Sequence, residues 1–296
     1  MRLRGLGILA GVVLLAAAAF AQMQDFYSGY LDVGIVKVKP EKRAEFDALG
    51  KKIADANRKN KGDTWLAAEV TYGEGNVVQF TSFRQNYADI DKGMDAFMSA
   101  ISKTAGGAAG FAKMMQDVNN CTASSRAEVR RRRGDLSVNP PTDAASYAKM
   151  VGETRWVRTA MVRIRPGHLG EYEELLKTIK AAREREMSAP TTLVSQSAAG
   201  QQGTVFYLTT LAKSMADFDA TPTPLPKLLG QEGFQKYLKT VSEAVIGAET
   251  IISRILPELS NPPADVAAAA PDFWHPKPAV TMKAKPKATE AGSKTQ

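Results

Sequence analysis

The sequence Val36-Lys37-Val38-Lys39-Pro40 occurs in near-copy 126 residues later, as Val162-Arg163-Ile164-Arg165-Pro166. Three further segments have counterparts in the same order and at nearly the same spacing: 88–91 with 216–219, 110–113 with 233–236, and 134–137 with 257–260. Chance similarities would scatter in spacing, whereas a duplicated domain keeps its segments in order. The chain of 296 residues is therefore predicted to contain two copies of one domain.

Each copy begins with a strand and a helix, followed by a hairpin. Alternating side chains at 33–39 and 157–165 predict the first strand, which ends at a proline because proline cannot donate to a ladder. Glycine-centred turns predict a β-hairpin at 65–83 and at 192–211. Apolar residues at steps of three and four predict the helix between them, namely Phe46, Leu49, Ile53 and Ala56 in one copy and Tyr172, Leu175, Ile179 and Ala182 in the other.

The second helical region differs between the copies. In the first copy, apolar residues in helical spacing run over 90–101, and a glycine-rich break precedes a short helix from Phe111. In the second copy, prolines at 222, 224 and 226 exclude a continuous helix, so a helix is expected only from about 231 to 245. A last strand, at 127–133 and 250–256, completes each unit.

The order strand, helix, strand, strand, helix, strand is the split βαβ plan, a four-stranded antiparallel sheet with both helices on one face. The bare face of such a sheet must be covered. We therefore predict an α+β fold of two tandem βαββαβ ferredoxin-like repeats, packed sheet to sheet as an intrachain α/β barrel.

This element order, with strand-proline-helix openings such as 36–40 followed by Phe46, resembles the dimeric α/β-barrel superfamily. The resemblance covers 31–136 and 156–259 and is greatest to the NIPSNAP-like and antibiotic-biosynthesis-monooxygenase-like branches. It implies a ligand pocket between the sheets, with functions that range from cofactor-free oxygenation and haem chemistry to plain binding.

The ends of the chain differ from its middle. Residues 1–21 have two arginines, an apolar stretch and a closing Ala19-Phe20-Ala21, the pattern of a cleaved signal peptide. We expect a mature chain that starts at Gln22, has no integral membrane span, and is periplasmic or secreted. The expected domains are a first repeat at 26–136, a linker at 137–152, a second repeat at 153–260, and a disordered Ala/Pro/Lys-rich tail at 261–296 in which Trp274 and His275 are incidental.

The composition of the chain argues against several kinds of partner and cofactor. The formal net charge of +8 is partly that of the two ends, and basic residues do not alternate with aromatic ones, so nucleic acid is not expected as a partner. Cys121 is the single cysteine, which excludes an intrachain disulfide and favours a buried thiol. His168 and His275 are the only histidines and no ligand cluster is present, so no metal and no cofactor are predicted. Self-association remains open.

Basic side chains alternate with apolar ones on the first strands. If Val36 and Val38 face the helices, then Lys37 faces the other sheet, and Arg163 does the same in the second copy. We predict that Lys37 and Arg163 need acidic partners or an anionic ligand between the sheets, because a buried unpaired charge is costly. Lys39 and Arg165 are expected at the rim.

Polar residues on other strands are further candidates for a pocket. Gln79, Thr81, Tyr207 and Thr209 lie on the third strands and face either the pocket or water. Trp65, Tyr72 and Asn76 are of a type that suits cofactor-free oxygenation, although Trp65 and Tyr72 are also typical of a core. The run Arg130–Arg133 suggests either a site for carboxylates or phosphates or a charged strand edge.

These patterns favour an exported protein that binds a small molecule, an anionic one included, without fixing any catalytic residue. One alternative is a cofactor-free monooxygenase that acts on an aromatic or quinone-like substrate. Another is an envelope interaction protein whose lysine-rich tail contacts anionic surfaces. A closed apolar cavity above about 300 Å³ would favour the enzyme, and a filled interior would favour the interaction role.

Overall fold

The structure is a computed structural model that describes residues 28–186, 189–220 and 222–275. The predicted signal peptide lies outside the described residues. The first half contains β1 Tyr30–Val38, α1 Arg43–Asn60, β2 Leu66–Tyr72, β3 Val77–Arg84, α2 Ala88–Ala105, α3 Ala108–Cys121 and β4 Thr122–Arg132, and α4 Ala144–Gly152 follows it. The second half contains β5 Trp156–Ile164, α5 Leu169–Arg183, β6 Leu193–Ala199, β7 Thr204–Ala212, α6 Leu225–Ala244 and β8 Val245–Ile255, and α7 Ala264–Ala268 and α8 Pro271–Trp274 end the described chain.

The eight strands form one closed antiparallel barrel in the order β1-β3-β2-β8-β5-β7-β6-β4. Each half contributes a four-stranded sheet, and the sheets join along two seams, where β2 pairs with β8 and β4 pairs with β6. The predicted fold, a two-repeat ferredoxin-like α/β barrel, is confirmed. The sheets do more than cover each other, because pairing at both seams leaves no free strand edge.

Alternation along the strands separates a barrel interior from two outer cores. Val38 is fully buried beneath the helices of the first half with Phe46 and Ile53, while Val33 and Ile35 point into the barrel. In the second half, Ile164 packs outward against Tyr172. Since the predicted helix stripes form these outer cores, the helices cover the outside of the barrel and leave its interior to strand side chains.

One local prediction is confirmed and another is corrected. Cys121 is buried in the outer core of the first half, where burial raises the pKa of its thiol. In the second half the helix expected only from about residue 231 begins earlier, at Leu225, because Pro226 lies in its first turn, where proline is tolerated. The helix is interrupted at Gly230, whose φ is 70°, and a short 3₁₀ helix, Met215–Asp219, precedes the prolines.

The segment expected to be a linker contains α4, which closes one end of the barrel. Asp143 caps this helix by accepting a hydrogen bond from the Ser146 amide at 2.8 Å. Ala148 and Val151 are buried against the C-terminal helices α7 and α8, and Tyr147 lies over the barrel interior. The barrel therefore has a capped end, defined by α4.

Residues 261–275, expected to begin a disordered tail, are folded. Trp274 is 1% exposed, and its indole N–H donates to the Gly152 carbonyl at 2.9 Å. Val266 and Ala267 pack in the same cluster with α4. The segment is ordered because a few apolar side chains fit onto α4, although it lacks a regular apolar period. The rest of the expected tail, 276–296, lies outside the described residues.

We predict that Trp274→Ala lowers the free energy of unfolding by about 3–5 kcal/mol, because it leaves a cavity between α8 and α4. Urea denaturation of the full chain measures this change. Tyr72→Ala is the control, since Tyr72 is 58% exposed, and its effect should stay below about 0.5 kcal/mol. Equal effects for the two variants would show that the C-terminal segment does not support the barrel.

Candidate functional site

Three sets of side chains occupy the barrel interior. One is an apolar cluster that we call the plug: Val33, Ile35, Val70, Val77 and Ile251. The second is a set of polar and charged side chains that we call the polar belt: Gln79, Thr81, Arg130, Thr159, Ser195, Thr209 and Ser253. The third is a set of apolar side chains that we call the collar: Leu31, Leu66, Phe83, Val157, Leu193, Leu211 and Ile255.

The belt and collar, together with α4, line a cavity of about 140 Å³. On β5 and β7 the threonines Thr159 and Thr209 lie opposite each other, two residues along the strands from the opposed pair Val157 and Leu211. The predicted pocket residues Gln79, Thr81 and Thr209 line this cavity, and the Tyr207 ring lies 3.7 Å beneath the Arg130 guanidinium. Their role in binding stays a prediction.

The basic residues expected between the sheets lie at the opposite end of the barrel. Lys37 forms a 2.5 Å ion pair with Glu74, with side chains 45% and 65% exposed. Arg163 donates to the Gln202 carbonyl. Alternation along the strand places both side chains on the inner face of the sheet. Both residues, however, lie so close to the strand ends that the hairpin turns of their own halves supply the hydrogen-bond acceptors.

The structure does not bring Trp65, Tyr72 and Asn76 together. Trp65 is buried outside the barrel, where its indole N–H donates to the Leu259 carbonyl at 2.7 Å. Tyr72 is mostly exposed. Asn76 occupies the hairpin turn with φ 59°, a conformation that asparagine tolerates well.

The arginine run at the end of β4 faces both sides of the sheet. Arg130 and Arg132 line the cavity, and Arg132 lies 5.0 Å from the Tyr147 ring centroid. Arg133 points outward and pairs with Asp135 and Glu173. The run is not a strand edge, because β4 is paired with both β1 and β6.

A buried carboxylate for which no sequence pattern provided a signal fixes Arg130. Glu128 has a fully buried side chain and accepts hydrogen bonds from Arg130 Nε at 2.9 Å, the Tyr207 hydroxyl at 2.8 Å and Gln201 Nε2 at 2.6 Å. Burial alone would raise the pKa of Glu128, but the charge of Arg130 and these hydrogen bonds outweigh it and leave the pKa below its ordinary value. The guanidinium is therefore held in one place in the wall of the cavity.

A second and larger cavity, of about 370 Å³, lies outside the barrel between the first-half sheet and helices α1, α2 and α3. We call it the sheet–helix cavity. Gly34 on β1 leaves room in its floor, since a Cβ atom there would meet only the Phe80 Cβ, at 4.0 Å. Its walls are largely aromatic and sulfur-containing, with Phe46, Trp65, Phe80, Met94, Phe97 and Met115.

Polar groups border the sheet–helix cavity at Asp32, Asp63, Ser82 and Arg84. Arg84 forms two 2.7 Å hydrogen bonds to Asp63 and a longer one, 3.3 Å, to Asp32. The hydrogen bonds to Asp63 raise the pKa of Arg84 against the opposing effect of burial, so it stays charged.

The residues around Arg84 hold it in place and leave Asp32 and Ser82 available to a ligand. The guanidinium packs on α2 at Gly93, where a Cβ atom would lie 2.4 Å from an Arg84 nitrogen. Ser82 lies opposite Asp32 in the β1–β3 register, is 7% exposed, and makes no side-chain hydrogen bond to another described residue. The Asp32 carboxylate and the Ser82 hydroxyl are thus adjacent acceptor and donor.

Metal-binding groups are not evident in these places. Within residues 28–186, 189–220 and 222–275, no cluster of three or more histidine, cysteine, aspartate or glutamate side chains is placed to hold a metal ion. Neither His168 nor His275 lines either cavity, so neither offers an imidazole ligand there. Among the described helices, none has the length and apolar character needed to cross a membrane.

No protein-family model and no curated protein matches the chain. Among solved structures it is similar to an anthrone oxidase-like protein, at 13% identity over 77% of this chain and 91% of that chain, with a TM-score of 0.48. It is also similar to a mutant chlorite dismutase from Candidatus Nitrospira defluvii, at 10% identity over 82% and 95%, with a TM-score of 0.43. A heme-binding protein from Thermus thermophilus matches at 10% identity over 79% and 93%, with a TM-score of 0.42. At these scores the similarities carry no argument about activity.

We predict that Glu128→Gln is strongly destabilising at neutral pH, by about 3–5 kcal/mol, because it leaves the buried Arg130 charge without its partner. Because the folded-state pKa of Glu128 is lowered, its contribution is complete above the unfolded value of about 4.3 and is lost as the pH falls through the folded value. The difference from wild type should therefore shrink in acid, as denaturation series at several pH values would show.

Tyr207→Phe provides a graded comparison, because it removes one hydrogen bond and keeps the carboxylate. It should cost about 1–2 kcal/mol and retain the acid dependence. A Glu128→Gln effect of constant size from neutral to strongly acidic pH would contradict the ionised network.

Proposed function

We propose that the protein binds a small, mostly apolar molecule with a hydroxyl or carbonyl group in the sheet–helix cavity. The observation that carries this proposal is a cavity of about 370 Å³ with aromatic walls, bordered by the Asp32, Ser82 and Arg84 side chains. Ligand sites are commonly concave, apolar and above about 300 Å³, with a few polar groups that orient the ligand.

The polar groups indicate which functional group the ligand carries. A hydroxyl on the ligand can donate to the Asp32 carboxylate and accept from the Ser82 hydroxyl, which lies opposite it on the neighbouring strand. A carbonyl can accept from the Ser82 hydroxyl or from the Arg84 guanidinium. Aromatic side chains such as Phe80 and Phe97 suit a flat ring, so a phenolic or quinone-like molecule is the class that fits best.

A cofactor-free monooxygenase is the second candidate, and the position of Asp32 favours it. A carboxylate beside a phenolic hydroxyl in an apolar cavity can take its proton, and the Arg84 guanidinium next to it can stabilise the resulting oxyanion. Transfer of electrons from such an anion to dioxygen would convert the phenol to a quinone, with one oxygen atom in the product and the other in water. Binding without turnover and binding with turnover are separated by one additional readout, oxygen consumption.

We predict that the purified protein binds 1-naphthol about tenfold more tightly than naphthalene, since one satisfied hydrogen-bonded group is worth that factor. Ser82→Ala and Asp32→Asn should each reduce the preference, with naphthalene affinity unchanged. Calorimetric titration measures both ligands, and an oxygen electrode records turnover in the same samples. Oxygen uptake that Asp32→Asn abolishes would favour the monooxygenase.

Gly34→Leu tests the location of the site, because the new side chain would occupy the cavity. It should abolish binding of both probes while the protein remains folded. Gly247→Leu is the matched control, a strand glycine with no heavy atom within 4 Å of a Cβ placed on it. Undiminished binding to Gly34→Leu, or equal affinity for naphthol and naphthalene in the wild type, would refute the proposed site.

We also infer that the chain is exported to the periplasm or the medium, on the signal-peptide pattern of residues 1–21. N-terminal sequencing of protein recovered outside the cytoplasm should begin at Gln22, and a chain that begins at Met1 would contradict export with cleavage.

Three further interpretations stay proposals. The four matched sequence segments and the repeated element order support duplication of one domain of NIPSNAP-like or monooxygenase-like type. Self-association of the chain is the second of these proposals. An envelope interaction through the lysine-rich tail rests on residues outside the described structure.

A further inference from the structure

We propose that the barrel interior is a second ligand site, distinct from the sheet–helix cavity, and that it takes a small monocarboxylate. The carboxylate would lie on the polar belt and the hydrocarbon part would lie in the apolar collar. The inference is independent of the function proposed above, because the two cavities lie on opposite faces of the first-half sheet and have no lining residue in common.

The first observation is the burial of the belt. Its side chains line the barrel cavity beside the apolar collar, and they neighbour the apolar plug. Buried polar groups cost stability unless they are hydrogen-bonded. Such a set of groups, contributed by six strands, therefore requires partners, and the cavity lies where those partners would be.

The second observation is that much of the belt has no partner in the protein. Ser195 is 5% exposed and Ser253 is 3% exposed, and both line the cavity. Within the described chain neither hydroxyl, nor the Gln79 or Thr81 side chain, makes a side-chain hydrogen bond. Thr159 and Thr209 are bonded only to each other, at 3.2 Å. These groups come from five strands of both halves, and they converge on one space.

The third observation is charge. The charged residues among the described lining are Arg130 and Arg132, and no carboxylate belongs to that lining. Glu128 balances the charge of Arg130 and fixes the position of its guanidinium. The site therefore offers guanidinium and hydroxyl donors, which suit an acceptor-only group such as a carboxylate.

The size of the cavity and its apolar collar indicate what the hydrocarbon part of the ligand can be. A cavity of about 140 Å³ is close to the roughly 150 Å³ that holds benzene, which corresponds to about six to eight non-hydrogen atoms. Leu66, Leu211 and Ile255 of the collar offer apolar contacts to a short or branched hydrocarbon chain. A short-chain aliphatic carboxylate suits both the polar belt and the apolar collar.

The experiment titrates the full chain with propanoate, butanoate, isovalerate and hexanoate, with isovaleramide as the neutral match of isovalerate. We expect saturable binding, with isovalerate about tenfold tighter than its amide because the charged acceptor forms stronger hydrogen bonds. Failure of every carboxylate to bind would show that water alone satisfies the belt, and equal affinity for acid and amide would remove the anionic ligand.

Variants locate the site and distinguish it from the sheet–helix cavity. Ser195→Ala combined with Ser253→Ala should weaken isovalerate binding about tenfold or more without lowering the stability of the free protein, since the removed hydroxyls have no partner there. Ser242→Ala, an exposed helix serine, is the control. Unchanged isovalerate affinity in the double variant would overturn the proposal.

Filling variants make the two sites separable. Ala68→Leu, which fills the barrel cavity, should abolish isovalerate binding and leave 1-naphthol binding intact, whereas Gly34→Leu should do the reverse. Isovalerate binding that survives Ala68→Leu would place the carboxylate elsewhere. Loss of 1-naphthol binding alone would count only against the sheet–helix site.

Discussion

The pairing of strands at the two seams is the constraint on which the rest of the structure depends. Ala68 of β2 lies opposite Ile255 of β8, and Arg130 of β4 lies opposite Ser197 of β6. Each half alone would have two unpaired edges and one bare face. Closure of the barrel pairs these edges and covers the bare faces. The inward side chains of all eight strands then form a single interior.

Closure also creates the chemical contrast between the two faces of the first-half sheet. Its inner face contributes Thr81 and Arg130 to a narrower space in which polar groups and two arginines adjoin an apolar collar. Its outer face contributes Phe80 and Asp32 to a wider, largely apolar space beneath helices. Because successive side chains alternate between these faces, β3 and its neighbours line two cavities of different composition. We expect that substitution can fill either cavity without changing the other.

The repeat and the alternation made much of this fold predictable from the sequence. They gave the element order and the alternation that separates Val36 and Val38 from Lys37, but they left open whether Gln79, Thr81 and Thr209 face the pocket or water. Depth along the barrel was not predictable, because alternation gives the side of a sheet and not the distance from its end. Lys37 and Arg163 were therefore placed in the interior, whereas they meet the hairpin turns.

Groups assembled from distant segments could also not be predicted from the sequence. Asp32, Asp63 and Arg84 are brought together only by the packing of a strand, a loop and a neighbouring strand. The role of Trp274 could not be predicted from its Ala/Pro/Lys-rich surroundings, because its partner, Gly152, lies 122 residues away in the chain. The Asp143 cap followed by Ala148 and Val151 was the available signal for α4.

Hydrogen exchange at the seams tests the intrachain barrel most directly, with sedimentation used to fix the oligomeric state of the same sample. The structure predicts that, in a monomer, backbone amides that pair across β2–β8 and β4–β6 exchange as slowly as those between β1 and β3 within one half. Rapid exchange along either seam, or protection that appears only when the protein dimerises, would contradict closure within one chain.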